Sequence, residues 1–192
     1  MLFRRSSAAE PLPVYMHPVE FSQVVAAVEA IRPRRVLEWG SGGSTRAMLQ
    51  RFPFIERYVS IEHEAPWYER VRSVVRDPRL SLHHVPPDKP LPAGTPIRKM
   101  RQWERRCEVD PSICPTYVEF PRRLGERFNL VLVDGRARVY CMRAGFDLLD
   151  PGGLLIVHDA EREVYAETIE SLGRSVYLEP WKQGQVCLIR KS

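Results

Sequence analysis

The sequence predicts an α/β fold: a doubly wound sheet of about seven strands, mostly parallel, with an antiparallel C-terminal strand. Three observations lead there. Short apolar runs at Arg35–Trp39, Phe128–Val133 and Leu154–Val157 alternate with segments of helical spacing, the pattern of strands buried on both faces between covering helices. Turn residues punctuate them, notably Gly40-Ser-Gly-Gly-Ser44 and Asp150-Pro-Gly-Gly153. Polar residues then gather at the carboxyl ends of the apolar runs, where open α/β sheets place their ligands.

Taken in order, residues 1–16 lack periodicity and carry Pro11 and Pro13, so they read as an extended arm. From His17 to Ile31, apolar residues at Phe21, Val24, Val25, Val28 and Ile31 have helical spacing. The first strand, Arg35–Trp39, enters the glycine turn, and a helix resumes from Thr45 to Phe52. Tyr58–Ile61 is the second strand, followed by a helix over Ala65–Val75. Leu80–Val85 alternates as a third strand. Five prolines between Pro86 and Pro96 then open an insertion, residues 86–127, far longer than the usual loop of about 2–6 residues. Within it, Ile97–Cys107 forms a basic helix and Tyr117–Leu124 a second short one. Phe128–Val133 is the fourth strand, Val139–Leu149 a helix that stops at Asp150-Pro-Gly-Gly153, and Leu154–Val157 the fifth strand. A helix over Tyr165–Leu172 and an antiparallel pair, Ser175–Leu178 with Gln185–Arg190, complete the chain.

The 192 residues suit a single domain, 1–192, and 44% hydrophobic with 28% charged residues is ordinary for a soluble globular protein. No stretch approaches the ~20 apolar residues that span a bilayer, and Met1–Glu10 lacks the apolar core of a secretory signal. Four cysteines without C-x2-C spacing argue against a zinc site. Cys141 and Cys187 sit in apolar segments, whereas Cys107 and Cys114 flank a loop where a local disulfide is feasible. A reducing, cytoplasmic setting is expected. The net charge of +5 is too small to establish nucleic-acid binding.

Chemistry concentrates at the strand ends. The glycines of the first turn let backbone bend tightly and approach a ligand, although a plain strand–helix turn would use them too. Glu38 stands two residues before Gly40. A carboxylate there repels a pyrophosphate and suits a cation, such as the ammonium and sulfonium of S-adenosylmethionine. Glu62 closes the second strand about twenty residues beyond Gly40, the spacing at which dinucleotide-type folds place a ribose-binding acid. His63 and Trp67 follow it; Trp67 is equally explained as a core residue. Asp134 and Asp159 end the fourth and fifth strands, with His158 beside the latter. Making an acceptor hydroxyl nucleophilic needs either a general base or a metal that lowers its pKa, and this trio suits both roles.

The stretches Val36-Leu-Glu-Trp-Gly-Ser-Gly-Gly-Ser-Thr45, Val59-Ser-Ile-Glu-His-Glu64 with Trp67-Tyr68, Leu130-Val-Leu-Val-Asp-Gly135 and Leu149-Asp-Pro-Gly-Gly153 resemble class I S-adenosylmethionine-dependent methyltransferases, which have a Rossmann-like fold. The resemblance covers roughly residues 18–190 apart from the insertion. Within that superfamily it looks most like the group containing plant glucuronoxylan O-methyltransferases and small bacterial relatives. Ser44 departs from it, standing where many members have a third glycine. The resemblance implies that Glu38, Gly40, Ser41, Gly42, Gly43, Ser44 and Thr45 hold the methionine portion, Glu62 the ribose with His63 beside it, and backbone near Val85 the adenine. Asp134 and Asp159 match the acids that bind a divalent metal in catechol-type relatives, where Asn usually follows the second. Ala160 stands there instead, which weakens the expectation of a metal.

The insertion reads as a lid or substrate loop. Ile97–Arg106 carries five cations, and Arg136 and Arg138 follow Asp134 directly, as candidates for holding a carboxylate or phosphate on the acceptor. The expected activity is O-methylation of a small-molecule or carbohydrate acceptor, an acidic sugar among them, with no membrane partner. The rival readings are an RNA-modifying methyltransferase, since interleaved basic and aromatic residues also suit nucleic acid, a non-catalytic cofactor-binding domain, and a nicotinamide oxidoreductase disfavoured by Glu38.

Overall fold

A computed structural model describes residues 12–192. Most of the expected N-terminal arm, residues 1–11, lies outside the described residues. From residue 12 to 17 the chain is neither helix nor strand, yet Leu12 and Met16 are buried. Helix α1, Pro18–Ile31, starts at a capping box in which Glu20 reaches back to the His17 N–H, and Pro18 occupies the first turn, where its missing N–H costs nothing.

One seven-stranded sheet organises everything else. In chain order its strands are β1 (Arg35–Trp39), β2 (Arg57–Glu62), β3 (Leu80–His84), β4 (Phe128–Val133), β5 (Leu149–Val157), β6 (Ser175–Tyr177) and β7 (Cys187–Arg190). They lie side by side as β3-β2-β1-β4-β5-β7-β6, with the first five parallel and β7 antiparallel to both neighbours. The order reverses between β1 and β4, the switch point at which such sheets open a crevice. Helices α2 (Gly43–Arg51), α3 (Ala65–Val74), α6 (Arg138–Leu148) and α7 (Glu163–Leu172) make the connections. The β3–β4 connection holds α4 (Ile97–Cys107), α5 (Pro115–Glu119) and a 3-10 turn (Phe120–Leu124).

The central strands are oily on both faces because each face has its own core. One contains Leu37, Trp39, Val131, Val133 and Leu155, and the insertion adds Ile113 and Tyr117 to it. The other contains Val36, Leu130, Leu132 and Ile156 with Val24 and Val28 of α1 and Met48 of α2. The insertion is thus packed structure: the Trp39 indole N–H donates to the Tyr117 carbonyl at 3.1 Å. Its five prolines from Pro86 to Pro96 precede α4, whose boundaries match the expected Ile97–Cys107. One boundary differs. Asp150-Pro-Gly-Gly153 was expected to separate helix from strand, but β5 already begins at Leu149, opposite Phe128, and absorbs the segment as a register shift. The backbone of Gly152 and Gly153 finds its partners in Lys191, past the end of β7.

Register positions the site. Trp39 lies level with Ile61 and Val133, and Val133 with Val157. The residues that follow, Gly40, Glu62, Asp134 and His158, therefore emerge side by side along one edge. All four cysteines are buried and free, Cys107 and Cys114 included. Among the described residues no helix is long and apolar enough to cross a membrane.

Candidate active site

A cleft of about 450 Å³ runs along this edge, bounded by the glycine turn, Glu62-His63-Glu64, Asp134-Gly135 and His158-Asp159. It falls within the range of small-molecule sites. Gly40 has φ +95°, and a Cβ there would lie 2.8 Å from the Asp134 carbonyl carbon and the Gly135 nitrogen. Only glycine lets the turn after β1 pass that close to the turn after β4. Gly42, Gly43 and Ser44 carry the chain into α2 and line the floor of the cleft, so a carboxylate bound there meets helix N-terminal N–H groups.

Glu62 is buried, lines the cleft, and is held as an anion. Burial opposes ionisation, but the His63 ring and the N–H groups of His63 and Glu64, at 2.8 and 2.9 Å, keep its carboxyl below the usual range. Ser41 Oγ donates to its other oxygen at 3.2 Å. Trp67 donates from its indole N–H to the Ser41 carbonyl, borders the cleft, and stacks against Tyr15 from the segment before α1. Trp67 thus borders the cleft and, half buried, also packs against the second core.

Glu38 lies elsewhere. It was expected to touch the methionine portion, but it is fully buried beneath the turn and takes hydrogen bonds from Ser44, Thr45 and Ser60. Burial pushes its carboxyl up to about 7 despite these three hydroxyls. Thr45 shares this position, donating to Glu38 and accepting from the Gly42 N–H. Both residues shape the turn from below and do not line the cleft. Val85 also stays outside it, its N–H spent on the Glu62 carbonyl.

On the β4–β5 side, Asp134 Oδ1 accepts from His158 Nδ1 at 3.1 Å and pairs with Arg138 at 3.2 Å. Its Oδ2 has no hydrogen-bond partner among the described residues. Burial disfavours a charged His158, but the hydrogen bond to Asp134 and the Asp134 and Asp159 charges raise its pKa above the ordinary value. His158 sits behind Asp134 and is almost wholly buried, with Nε2 packed against Gly184, where a side chain would collide with His158 and Asp159. Glu20 fixes this roof by accepting from the N–H groups of Lys182 and Gln183. Asp159 takes a left-handed φ of 58° and pairs with Arg138 at 2.9 Å and with Arg162.

Arg138 differs from its expected role. Rather than facing an acceptor, its guanidinium is buried between Asp134 and Asp159 and donates to the carbonyls of Asp134, Gly135 and His158. Two acids that would share a divalent ion are already bridged by a fixed organic cation. Among the described residues no three His, Cys, Asp or Glu side chains form a group able to hold a metal. The donor set does not fit a metal-dependent site. Arg136 borders the cleft and is paired with Glu104 of α4.

No protein-family model and no curated protein matches the sequence. Three solved structures give the fold its place. The O-methyltransferase from Bacillus cereus in complex with S-adenosylhomocysteine is 16% identical over 94% of this chain and 84% of its own, with a TM-score of 0.61. A methyltransferase-like protein from Silicibacter pomeroyi is 22% identical over 94% and 90%, with a TM-score of 0.61. The fold is that of the class I S-adenosylmethionine-dependent methyltransferases. The O-methyltransferase TomG from Streptomyces achromogenes, in complex with S-adenosylmethionine, shares it at 14% identity over 92% and 81%, TM-score 0.56.

Several site residues carried no sequence signal. Arg162 enters from the turn just past Asp159, and Pro13, Tyr15, Gln183 and Gly184 reach the cleft or its roof from distant parts of the chain. Long-range packing brings the latter in, and no local periodicity records it.

Proposed function

We propose that the chain transfers a methyl group from S-adenosylmethionine to a hydroxyl oxygen of a small-molecule or carbohydrate acceptor. The observation that carries this is one cleft holding both an ionised Glu62 and, across the glycine turn, an Asp134 whose Oδ2 has no hydrogen-bond partner among the described residues. Glu62 suits the two hydroxyls of a ribose, and the α2 N-terminus suits the amino-acid carboxylate. When bound, the donor supplies an electrophilic methyl that the acceptor oxygen attacks in line, the carbon–sulfur bond breaking to leave S-adenosylhomocysteine.

The chain's own part is positioning and proton handling. Asp134 Oδ2 takes the acceptor proton as the oxygen–carbon bond forms. His158 and Arg138 hold Oδ1, so the free oxygen keeps one direction. Asp159 neutralises Arg138 from the other side and is a positioning residue. Incubating the protein and isotopically labelled donor with a cell extract tests the reading by mass spectrometry. One or more hydroxylated metabolites should gain a single labelled methyl. Asp134→Ala should lower that yield by about 10²–10⁴-fold, the usual worth of a general base, while S-adenosylhomocysteine still binds. No labelled product from the native protein would contradict it.

A further inference from the structure

A second cleft, about 720 Å³, opens beside the first between the C-terminal half of α4 and the start of α7. Arg136 and Arg162 border both clefts, so the two are neighbours across a pair of guanidinium groups. Five arginines but only two carboxylates line the second cleft. Three of those arginines are already paired: Arg136 with Glu104, Arg162 with Asp159, and Arg106 with Asp110. Arg101 and Arg105 are exposed, and their guanidinium groups form no ion pair or hydrogen bond among the described residues. They stand four apart on one helix face, where like charges repel unless an anion lies between them. Val109, just past the end of α4, and Val164 with the Tyr165 ring from α7 add apolar lining to the same cleft.

This basic helix face thus forms one wall of a cleft that shares two of its lining residues with the candidate active site. We propose that this second cleft is the acceptor site and that it selects acceptors bearing a carboxylate or phosphate on an apolar body. Arg101 and Arg105 grip the anion, and the hydroxyl points past Arg136 and Arg162 toward Asp134. The anion preference stands on the cleft alone; the word acceptor rests on the methyl-transfer reading above. The proposal also moves substrate recognition from Arg138, which is internal, to α4 of the insertion.

Calorimetric titration of the full chain with 4-hydroxybenzoate, its neutral counterpart 4-hydroxybenzamide, and phenyl phosphate tests it. Native protein should bind the two anions at least about tenfold more tightly than the amide, the gain expected of charge-assisted forks, and the tighter of the two identifies the anion. The double variant Arg101→Gln/Arg105→Gln should lose that preference, while Arg98→Gln, on the same helix outside the cleft, keeps it. Affinity for S-adenosylhomocysteine should be unchanged in all three proteins. Equal binding of acid and amide, no binding of either anion, or a preference that survives the double variant would overturn the proposal. So would tighter, steeply salt-dependent binding of a short oligouridylate, which would assign the cleft to RNA. Failure of S-adenosylhomocysteine to bind the native protein would instead remove the methyl-transfer reading, while the anion preference is read independently.

Discussion

The two halves of the sheet's carboxyl edge treat their acids differently. On the β1–β2 side, Glu38 and Glu62 are held by neutral hydroxyls, backbone N–H groups and a histidine. On the β4–β5 side, Asp134 and Asp159 are bridged by a buried guanidinium. The Ser41 hydroxyl, two backbone N–H groups and the His63 ring hold Glu62 as an anion at the cleft, which in the proposed reading meets a ribose diol. Arg138, together with Arg162 on Asp159, balances the second pair, so those acids offer little to a metal ion, and in the proposed reaction Asp134 serves as an oriented base. The partner, more than the residue type, sets the task.

The largest break in this contrast comes from Arg138→Met. It strands buried carboxylates without their cation, and such losses cost about 3–5 kcal/mol. Thermal denaturation should show a steep fall in Tm; a change within a degree or two would mean the guanidinium is not what neutralises the β4–β5 side.

Glu38→Gln probes the other half. Because the folded-state pKa of about 7 lies above the ordinary 4.5, the folded protein keeps a proton that the unfolded chain releases between those values. The contribution is complete below about pH 4.5 and is lost as pH rises to about 7, on the order of 3 kcal/mol in all. Glu38→Gln should flatten this part of the stability–pH curve, measured by urea denaturation near pH 5 and pH 8. An unchanged slope would show that Glu38 is ionised in the folded state.

The smallest effect belongs to His158→Asn. Asn retains a donor toward Asp134 but does not titrate. In the native protein turnover should rise as pH climbs past the raised His158 pKa, because an imidazolium on Oδ1 weakens Oδ2 as a base. His158→Asn should remove that limb at a cost of about tenfold or less, with S-adenosylhomocysteine affinity kept. A native profile flat above pH 6.5 would argue against the coupling.

Much of this architecture was legible in the residues themselves. Apolar runs located the central strands β1, β2, β4 and β5, since strands buried on both faces carry little else, alternation marked β3 at the sheet edge, and α4 showed its full length between a proline cluster and the loop after Cys107. Parallel pairing then explains why Glu62, Asp134, His158 and Asp159 meet: they end strands that share one level. Spacing says nothing of whether a side chain at a strand end points into the crevice or beneath it. Glu38 and Thr45 point beneath, and Arg138 turns inward because two acids and three carbonyls await it. Residues 12–17 and Gly184 reach the site only through tertiary packing.

The claim that most depends on Glu62 facing the cleft as an anion is met by one titration. Calorimetry with S-adenosylhomocysteine and with NAD, on the native chain and on Glu62→Ala, should show binding of the first and none of the second. The variant should lose about 100-fold in affinity, the value of charged hydrogen bonds to a ribose diol. Binding of NAD in place of S-adenosylhomocysteine, or an affinity untouched by Glu62→Ala, would contradict the account.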